Sequence, residues 1–291
     1  MRVLPFDHLD YPNRLRHTHK RPEQIWVEGD LTERKVHVAI VGAREATPLG
    51  LKYAQELAHD VAKAGGVVVS GGAIGIDAAA HEGALEANGV TWAVLPTGHD
   101  HPFPENHGEL FTRIAASRGA TLSQYPPETK TLRAQFHPRN RVLVALSDVV
   151  VIVQAGLISG TRNTAKWARE LKRPLWAVTT APWIEERGFN GFEGCFLEIA
   201  RGAQPLWSTE RFLKRVGLAP LGPALSSPPP RTNENENKVL ECMGAREVHV
   251  DEIVLTTGLS VGQVVTALLT MALEDVVVEA SERWYRAKRP V

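Results

Sequence analysis

Short apolar runs alternate with amphipathic stretches along most of the chain. The runs are rich in β-branched residues, which is typical of buried β-strands. The predicted strands are VHVAIVG (36–42), VVVS (67–70), TWAVLPTG (91–98), ATLSQY (120–125), DVVVIVQA (148–155) and PLWAVTT (174–180). Because helices separate such strands in βαβ units, the pattern predicts a parallel sheet covered on both faces. The expected fold class is therefore α/β, with an extended Rossmann-like sheet.

The stretches between these strands carry the signals of helices. Thr47 followed by Pro48 is a typical helix start, and apolar residues then recur every four positions from Leu49 to Val61. The second helix is predicted over 77–88. Both helices follow a predicted strand directly, as the βαβ arrangement requires.

The pattern changes at Gly217, where a segment rich in Pro, Gly, Ser and Asn begins. It has no apolar periodicity and is typical of a linker. Beyond it, a helix, a turn at Thr257-Gly258, a second helix and two short strands predict a helix-turn-helix with a wing. The expected parts are an N-terminal extension packed on the core (1–35), a Rossmann-like domain (36–216), a linker (217–238) and a small winged-helix-like domain (239–291).

The composition restricts the class of protein further. The chain has 291 residues and a formal net charge of zero, so any nucleic-acid contact surface must be local. Cys195 and Cys242 form no CxxC pair, which excludes a disulfide scaffold and a cysteine zinc site and suits a reducing compartment. No stretch is apolar enough for a membrane helix or a signal peptide. We therefore expect a cytoplasmic protein that does not contact the membrane.

A glycine-rich turn follows the second strand in VVVSGGAIGID (67–77). A strand that enters a helix through glycines is a common phosphate-binding arrangement. The spacing of Gly71, Gly72 and Gly75 does not match GxGxxG, and the next strand ends in Pro96-Thr97 without a carboxylate for a ribose. We therefore expect no nucleotide cofactor. The alternative is that the glycines serve only a tight turn.

Basic and aromatic residues are expected on the same rim of the sheet. Arg44 follows the first predicted strand, and Arg133 and FHPRNR (136–141) precede the apolar stretch VLVAL. Guanidinium groups fit phosphate oxygens, an exposed Phe136 can stack on a base, and Asn140 can contact a base edge. Each residue alone also has an ordinary structural explanation, and Phe136 fits a core position. Together they indicate a site for several phosphates with a base between them.

These motifs resemble the DNA-processing protein A family, DprA, also called Smf. The resemblance is strong over residues 11–210 and weak over the last fifty. The family's G-S-R-x-x-S-x-x-G corresponds to Gly42–Gly50, with departures at Ala43 and Thr47; at Ala43 a hydroxyl and one possible phosphate contact are lost. The signature S-G-x-A-x-G-I-D-x-x-A-H-x-x-A-L is complete. It spans Ser70–Leu85. The other matches are Pro104 and Asn106, Tyr125-Pro126-Pro127, Phe136–Ser147 and Ser159–Ala165.

The resemblance implies a protein that binds single-stranded DNA in a rim pocket. It also implies that the protein protects incoming DNA, helps to load the RecA recombinase in natural transformation and recombination, and forms a homodimer through the Rossmann-like domain. No cofactor or metal is implied. The residues expected to contact DNA are Arg44, Ser70, Gly71, Gly72, Ala73, Arg133, Phe136, Arg139, Asn140, Arg141, Gly160 and Thr161.

The main alternative is an enzyme similar to the lysine-decarboxylase-like nucleotide phosphoribohydrolases. These enzymes carry P-G-G-x-G-T-x-x-E, whose glutamate acts at C1 of the sugar. Here Thr164 stands at the glutamate position, and a neutral hydroxyl cannot act as a carboxylate base. Asp77 and His81 are better explained by structural roles, Asp77 as a helix cap. The histidine-rich loop HDHPFPENH (99–107) lacks the i,i+4 spacing of a metal site on a helix. The sequence thus favours a binding protein over an enzyme.

The C-terminal unit has the wrong charge for a DNA-reading module. The second helix of its helix-turn-helix, SVGQVVTALLTMALED (260–275), contains no Lys or Arg. Residues 239–291 hold five Lys or Arg against eight Asp or Glu, a net charge of −3. Such a surface repels phosphates, which favours a role in protein interaction or regulation. The alternative is that the basic tail, 283–289, grips duplex DNA as a wing does.

Overall fold

The computed structural model describes residues 1–31, 33–157, 159–179, 191–218, 234–244, 246–273, 276–281 and 284–287. The chain divides into two compact units, Met1–Leu221 and Gly222–Val291. Most of the expected linker, 219–233, lies outside the described residues.

In the described part of the first unit, one nine-stranded sheet has the order β1-β2-β6-β5-β4-β3-β7-β8-β9. The strands are β1 (Arg2–Pro5), β2 (Gln24–Gly29), β3 (His37–Val41), β4 (Val67–Ser70), β5 (Val90–Leu95), β6 (Ala120–Ser123), β7 (Val149–Ile152), β8 (Leu175–Val178) and β9 (Gln204–Leu206). All neighbours from β6 to β9 in this order are parallel. The predicted α/β class and parallel sheet are confirmed.

The N-terminal residues differ from the expected extension packed on the core, because they continue the sheet itself. β1 pairs antiparallel with β2, and β2 pairs antiparallel with β6. β1 is the edge strand, where Pro5 is tolerated at the strand end, and β2 lies next to it. Short edge strands carry a weak periodicity signal, which explains why the pattern did not predict them.

Helices cover both faces of the sheet. In the described part of the first unit they are α1 (Asn13–Arg16), α2 (Pro48–Lys63), α3 (Ile76–Glu86), α4 (Gly108–Ala116), α5 (Phe136–Ala145), α6 (Thr161–Glu170), α7 (Glu193–Ala200) and α8 (Thr209–Arg215). The hydroxyl of Thr47 accepts a hydrogen bond from the amide of Gly50 at 3.1 Å, and Pro48 is the first residue of α2, as predicted. The predicted apolar stripe is only partly buried, since Leu49 is exposed while Leu57 and Val61 are in the core.

The core consists of apolar layers on the two faces of the sheet. Alternate residues of β3 enter different layers: Val38 and Ile40 pack in one, Ala39 and Val41 in the other. This period of two explains why the strands appear as continuous apolar runs, since both sets of side chains are buried. The sheet is therefore a rigid support for loops at its rims.

The second unit contains three helices and a three-stranded antiparallel sheet among its described residues, in the order β10-β12-β11. The elements are α9 (Glu234–Met243), β10 (Val248–His249), α10 (Val250–Thr257), α11 (Val261–Leu273), β11 (Val277–Ser281) and β12 (Trp284–Ala287). The predicted winged helix is confirmed. α9 begins inside the segment expected to be linker, because acidic residues favour a helix N-terminus and Lys238 pairs with Glu234 at 2.7 Å.

Of the described helices, none is by itself long and apolar enough to span a membrane. The bent pair Val250–Thr257 and Val261–Ala272 passes the same test only when taken together, on length and composition.

Candidate nucleic-acid interface

A cleft of about 790 Å³ opens at the carboxyl ends of β3, β4 and β7. From β3 the chain proceeds to β4, β5 and β6 on one side, whereas β7, β8 and β9 lie on the other. The strand order thus reverses between β3 and β7. Ligands of open α/β sheets bind at such a switch point, because the loops on either side diverge and leave a crevice. The cleft is the principal candidate site.

The structure brings eight of the twelve sequence-predicted residues to this cleft. The lining residues among them are Arg44, Ala73, Arg133, Phe136, Arg139, Asn140, Gly160 and Thr161. Four others do not line it, namely Ser70, Gly71, Gly72 and Arg141. That any of the twelve contacts DNA stays a prediction, but their positions divide them into exposed and supporting groups.

Phe136 lies at the start of α5 and is half-buried rather than in the core. The Cζ atom of Arg44 lies 5.2 Å from the centroid of its ring, and the Cζ atom of Arg139 lies 5.8 Å from it. The ring of Phe103 packs edge-on against it, with centroids 5.5 Å apart. Neighbours on several sides fix the ring at the cleft, where it can offer a surface for stacking.

Arg139, which the sequence predicts as a DNA contact, also supports the fold around the cleft. Its side chain is buried, and its Nη1 donates hydrogen bonds to the carbonyl oxygens of Gly71 and, at 2.7 Å, of Val94. Burial lowers the pKa of the guanidinium to about 10, with Asp77 acting in the opposite direction. It remains protonated at neutral pH, and its bonds tie α5 to the ends of β4 and β5.

Asp77 completes this support from the other side. Its Oδ2 accepts hydrogen bonds from the amides of Gly71 at 3.2 Å and Ala73 at 3.4 Å. The sequence predicts Asp77 as the cap of α3. The structure places Gly75 at the N-cap instead, with φ +85°. Burial raises the pKa of the carboxyl, and Arg139 opposes that shift.

Gly71 is enclosed by this buried pair. A Cβ at Gly71 would lie 2.5 Å from Nη1 of Arg139 and 2.7 Å from Oδ2 of Asp77. The glycine turn therefore makes room for two buried groups of opposite charge, Arg139 and Asp77, and Gly71 has the structural role considered as the alternative.

Three further predicted residues do not line the cleft and have contacts inside the domain. The hydroxyl of Ser70 is buried and donates to the carbonyl of Ile40 at 2.6 Å. Gly72 lies against Phe111, where a Cβ would come within 2.5 Å of Cε1. The Cζ of Arg141 lies 5.9 Å from the ring centroid of Trp167. Each of the three residues therefore contributes to contacts within the domain.

The amino end of α6 forms another wall of the cleft. The hydroxyl of Ser159 donates to Oγ1 of Thr161 at 3.0 Å and accepts from its amide at 3.2 Å. Nδ2 of Asn140 donates to Oδ1 of Asn163 at 3.3 Å, which joins α5 to α6. A helix N-terminus carries a partial positive charge of about half a unit, which favours an anion at this wall.

The charge of the cleft is smaller than the number of its arginines indicates. Arg139 faces the buried Asp77, so the exposed cations are Arg44 and Arg133, and Glu45 also lines the mouth. His137 and Ser159 also line the cleft, although the sequence pattern did not indicate them as DNA contacts. Both stand beside or within the motifs used for the prediction, and only their side-chain directions were not evident.

Three of the histidines considered for catalysis and metal binding have partners inside the domain. Thr164 lines the cleft at the position of the hydrolase glutamate. His81 is buried and hydrogen-bonds Thr91 at 2.7 Å, and burial lowers its pKa to about 3. Nε2 of His99 contacts Oγ1 of Thr121 at 3.1 Å, and Nδ1 of His107 contacts the carbonyl of Gly72 at 2.9 Å. Within the described residues no group of three or more His, Cys, Asp or Glu is arranged to hold a metal.

The fold and site define a two-domain α/β protein, in which a Rossmann-like unit with a polar rim cleft is followed by a winged-helix unit. The family model of DNA recombination-mediator protein A matches residues 2–217, and that of the DprA winged helix domain matches 223–281. The chain belongs to the DNA recombination-mediator protein A family, DprA/Smf.

Relatives and solved structures agree with this assignment. The putative DNA processing protein DprA of Mycobacterium tuberculosis is 36% identical over 251 residues; the alignment covers 84% of this chain and 63% of that relative. Protein Smf of Escherichia coli is 30% identical over 295 residues, covering 99% of this chain and 78% of the relative. The X-ray structure of DprA from Streptococcus pneumoniae has a TM-score of 0.67 at 29% identity, and covers 74% of each chain.

A structure of DNA processing protein A from Helicobacter pylori, described for its single-stranded DNA binding mode, is also similar. Its TM-score is 0.63 at 31% identity, over 70% of this chain and 92% of that one.

Proposed function

We propose that the chain binds single-stranded DNA in the cleft between β3 and β7. The observation that carries this proposal is the position of Phe136, half-buried at the cleft with the exposed guanidinium of Arg44 over its ring. A ring for an unpaired base beside a cation for a phosphate is the basic unit of a single-strand site. The similar Helicobacter pylori protein, whose structure concerns its single-stranded DNA binding mode, supports this ligand.

We further propose that the protein protects incoming strands and helps to load RecA onto them during natural transformation or recombination. It acts in the cytoplasm and as a homodimer through the Rossmann-like domain. Membership of the recombination-mediator family and the DprA relatives support these proposals.

The proposed role is binding rather than catalysis. A phosphoribohydrolase needs a carboxylate where Thr164 lines the cleft, and the buried carboxyl of the cleft, that of Asp77, is held by the amides of Gly71 and Ala73. Incubation with nucleoside monophosphates should release no free base. Release that Asp77→Asn abolishes would establish an enzyme instead.

The recombination role is tested by the rate of RecA filament formation on single-stranded DNA with and without this protein. We expect a faster rate with the wild-type chain and no acceleration with Arg44→Glu, which removes the DNA contact. The variant Lys63→Glu, an equal charge change at the far end of α2, serves as the matched control. Equal rates with and without wild-type protein would contradict the RecA proposal without affecting that of DNA binding.

A further inference from the structure

A second, basic cavity lies at the rim of the sheet formed by the amino ends of its parallel strands. It has a volume of about 300 Å³ and is formed where α6 leads into β8 and α7 leads into β9, at the amino ends of these strands. The cleft described above lies at the carboxyl ends of the parallel strands, so the two sites occupy opposite rims. The basic residues that line the cavity are Arg169, Lys172, Arg173 and Arg201.

One buried carboxylate faces this group of cations. Glu198 is almost completely buried, with 1% of its side chain exposed, and it accepts a hydrogen bond from Arg169 and a longer one, at 3.4 Å, from Arg201. Two of the four cations are thus explained as partners of Glu198. Leaving Glu198 without them would place an unpaired charge in the interior.

The other two cations have no such explanation. Neither Lys172 nor Arg173 belongs to any of the ion pairs found among the described residues. Nη2 of Arg173 donates to the carbonyl of Ala145 at 3.2 Å, and its buried Nε has no hydrogen-bond partner within the described residues. Donor capacity therefore remains at the cavity after the protein's own acceptors are counted.

Stabilisation of helix ends does not account for this excess. The cavity lies beside the C-termini of α6 and α7, and each contributes a negative charge of about half a unit. Together with Glu198 they offset roughly two of the four positive charges. An excess of about two positive charges remains around a concave surface, and this excess attracts anions.

We propose that this cavity is a second anion site, which binds phosphate groups. Guanidinium forks match phosphate oxygens, and a lysine adds a mobile point charge. The phosphates belong either to the backbone of a nucleic-acid strand or to a free phosphate or pyrophosphate ion. The proposal does not depend on the function proposed for the first cleft, because the two sites share no residue.

The test compares three full-length proteins. Lys172→Asn/Arg201→Gln removes two cations but leaves Arg169 on Glu198, and asparagine tolerates the positive φ of +53° at position 172. Lys52→Gln/Lys63→Gln makes the same charge change on α2, at residues that line neither site. Thermal melting verifies that each variant is folded. Pyrophosphate binding is measured by calorimetry, and the affinity for a long oligothymidylate is measured across salt concentrations.

We expect the cavity variant to bind pyrophosphate about tenfold more weakly than wild type at this site, because two charge-assisted contacts are lost. If the strand backbone is the ligand, the slope of log affinity against log salt also falls by about 1.4, or roughly 0.7 for each lost phosphate contact. An unchanged slope with weaker pyrophosphate binding assigns the site to free anions. Wild-type pyrophosphate affinity and salt slope in the cavity variant would overturn the proposal. Arg44→Glu, measured alongside, tests the first cleft separately.

Discussion

The guanidinium of Arg44 lies over the ring of Phe136, with Cζ 5.2 Å from the ring centroid. The two residues come from different segments, one following β3 and the other opening α5. Their contact places a cation and a stacking surface within one nucleotide's reach of each other, and the cation–π attraction holds the guanidinium in position. The first two predictions follow from this pair.

Arg44→Glu should weaken single-stranded DNA binding by several kcal/mol, because a charge-assisted contact is lost and repulsion is added. The residue is exposed, so the melting temperature should stay near that of wild type. Fluorescence anisotropy with a labelled oligonucleotide measures the affinity, and Lys63→Glu is the control for net charge. A folded Arg44→Glu variant that binds as wild type does would place the site elsewhere.

Phe136→Leu should reduce the affinity for a single strand by about 1–3 kcal/mol, the usual value of one base stacked on an aromatic ring. The slope of affinity against salt should not change, since no phosphate contact is lost. Phe136→Tyr, which keeps the ring, is the matched control. If leucine binds as tightly as phenylalanine, the ring is only a packing partner of Phe103 and Arg44.

Arg139→Gln should chiefly affect stability. The substitution leaves Asp77 buried without its cation and breaks the bonds to Gly71 and Val94, a change that costs about 3–5 kcal/mol. Urea unfolding measures it, and Arg133→Gln, at an exposed position of the same cleft, should change stability by less than about 0.5 kcal/mol. The further substitution Asp77→Asn should recover part of the loss. An Arg139→Gln protein that is fully stable but does not bind DNA would make this guanidinium a ligand instead.

Much of the site could be predicted from the sequence because its elements follow from local pattern. The apolar runs located the parallel strands, and Gly42-Ala43-Arg44 and FHPRNR were placed on one rim because parallel strand ends converge there. Which of the arginines are buried and which are exposed could not be predicted. Nothing in the pattern distinguishes Arg139, which bonds buried carbonyls, from Arg133, which is exposed. Side-chain direction depends on packing between segments distant in sequence.

The strands β1 and β2 were not predicted either, because their stability also depends on pairing between segments. β1 and β2 are stabilised by their pairing with each other and with β6, whose residues lie far along the chain. Their own sequences, RVLP and QIWVEG, contain no continuous β-branched run such as VVVS, which is the signal that indicated the other strands.

Two buried histidines predict that stability falls in mild acid. Burial lowers the pKa of His37 to about 4 and that of His81 to about 3, so both stay neutral in the folded state. In the unfolded chain they protonate near pH 6.5. The unfolded state therefore binds more protons below pH 6.5, and stability that is complete above this pH is lost as the pH falls towards 4.

Between pH 6.5 and pH 5 the expected loss is about 2 kcal/mol for each histidine. Urea unfolding at pH 7 and pH 5 measures it. His81→Gln should be less stable overall but lose less on acidification, whereas His101→Gln, at an exposed position, should behave as wild type. An identical pH dependence of wild type and His81→Gln would contradict the assignment.

Removal of the C-terminal unit should leave single-strand affinity within about threefold, less than 1 kcal/mol. The described part of α11 contains no basic residue and exposes an apolar stripe, Val261, Val265 and Leu269, which suits a protein partner better than phosphate. Of the basic tail considered as a duplex grip, residues 284–287 form β12, whereas Arg283, Lys288 and Arg289 lie outside the described residues. The truncated chain should end at Leu221, because Leu218 packs in the core of the first unit. A folded truncation that no longer binds DNA would make the second unit a DNA reader.

We propose above all that the cleft accepts an unpaired strand, with Phe136 against a base and Arg44 on a phosphate. This proposal is tested most directly by the affinities of the full-length protein for single-stranded and double-stranded DNA of equal length, measured across salt concentrations. We expect a clear preference for the single strand at every salt concentration, because only an unpaired base can stack on the ring. We also expect the affinity to fall steeply with salt, because bound phosphates release counterions. Equal affinity for the two forms in the same buffer would contradict the proposal.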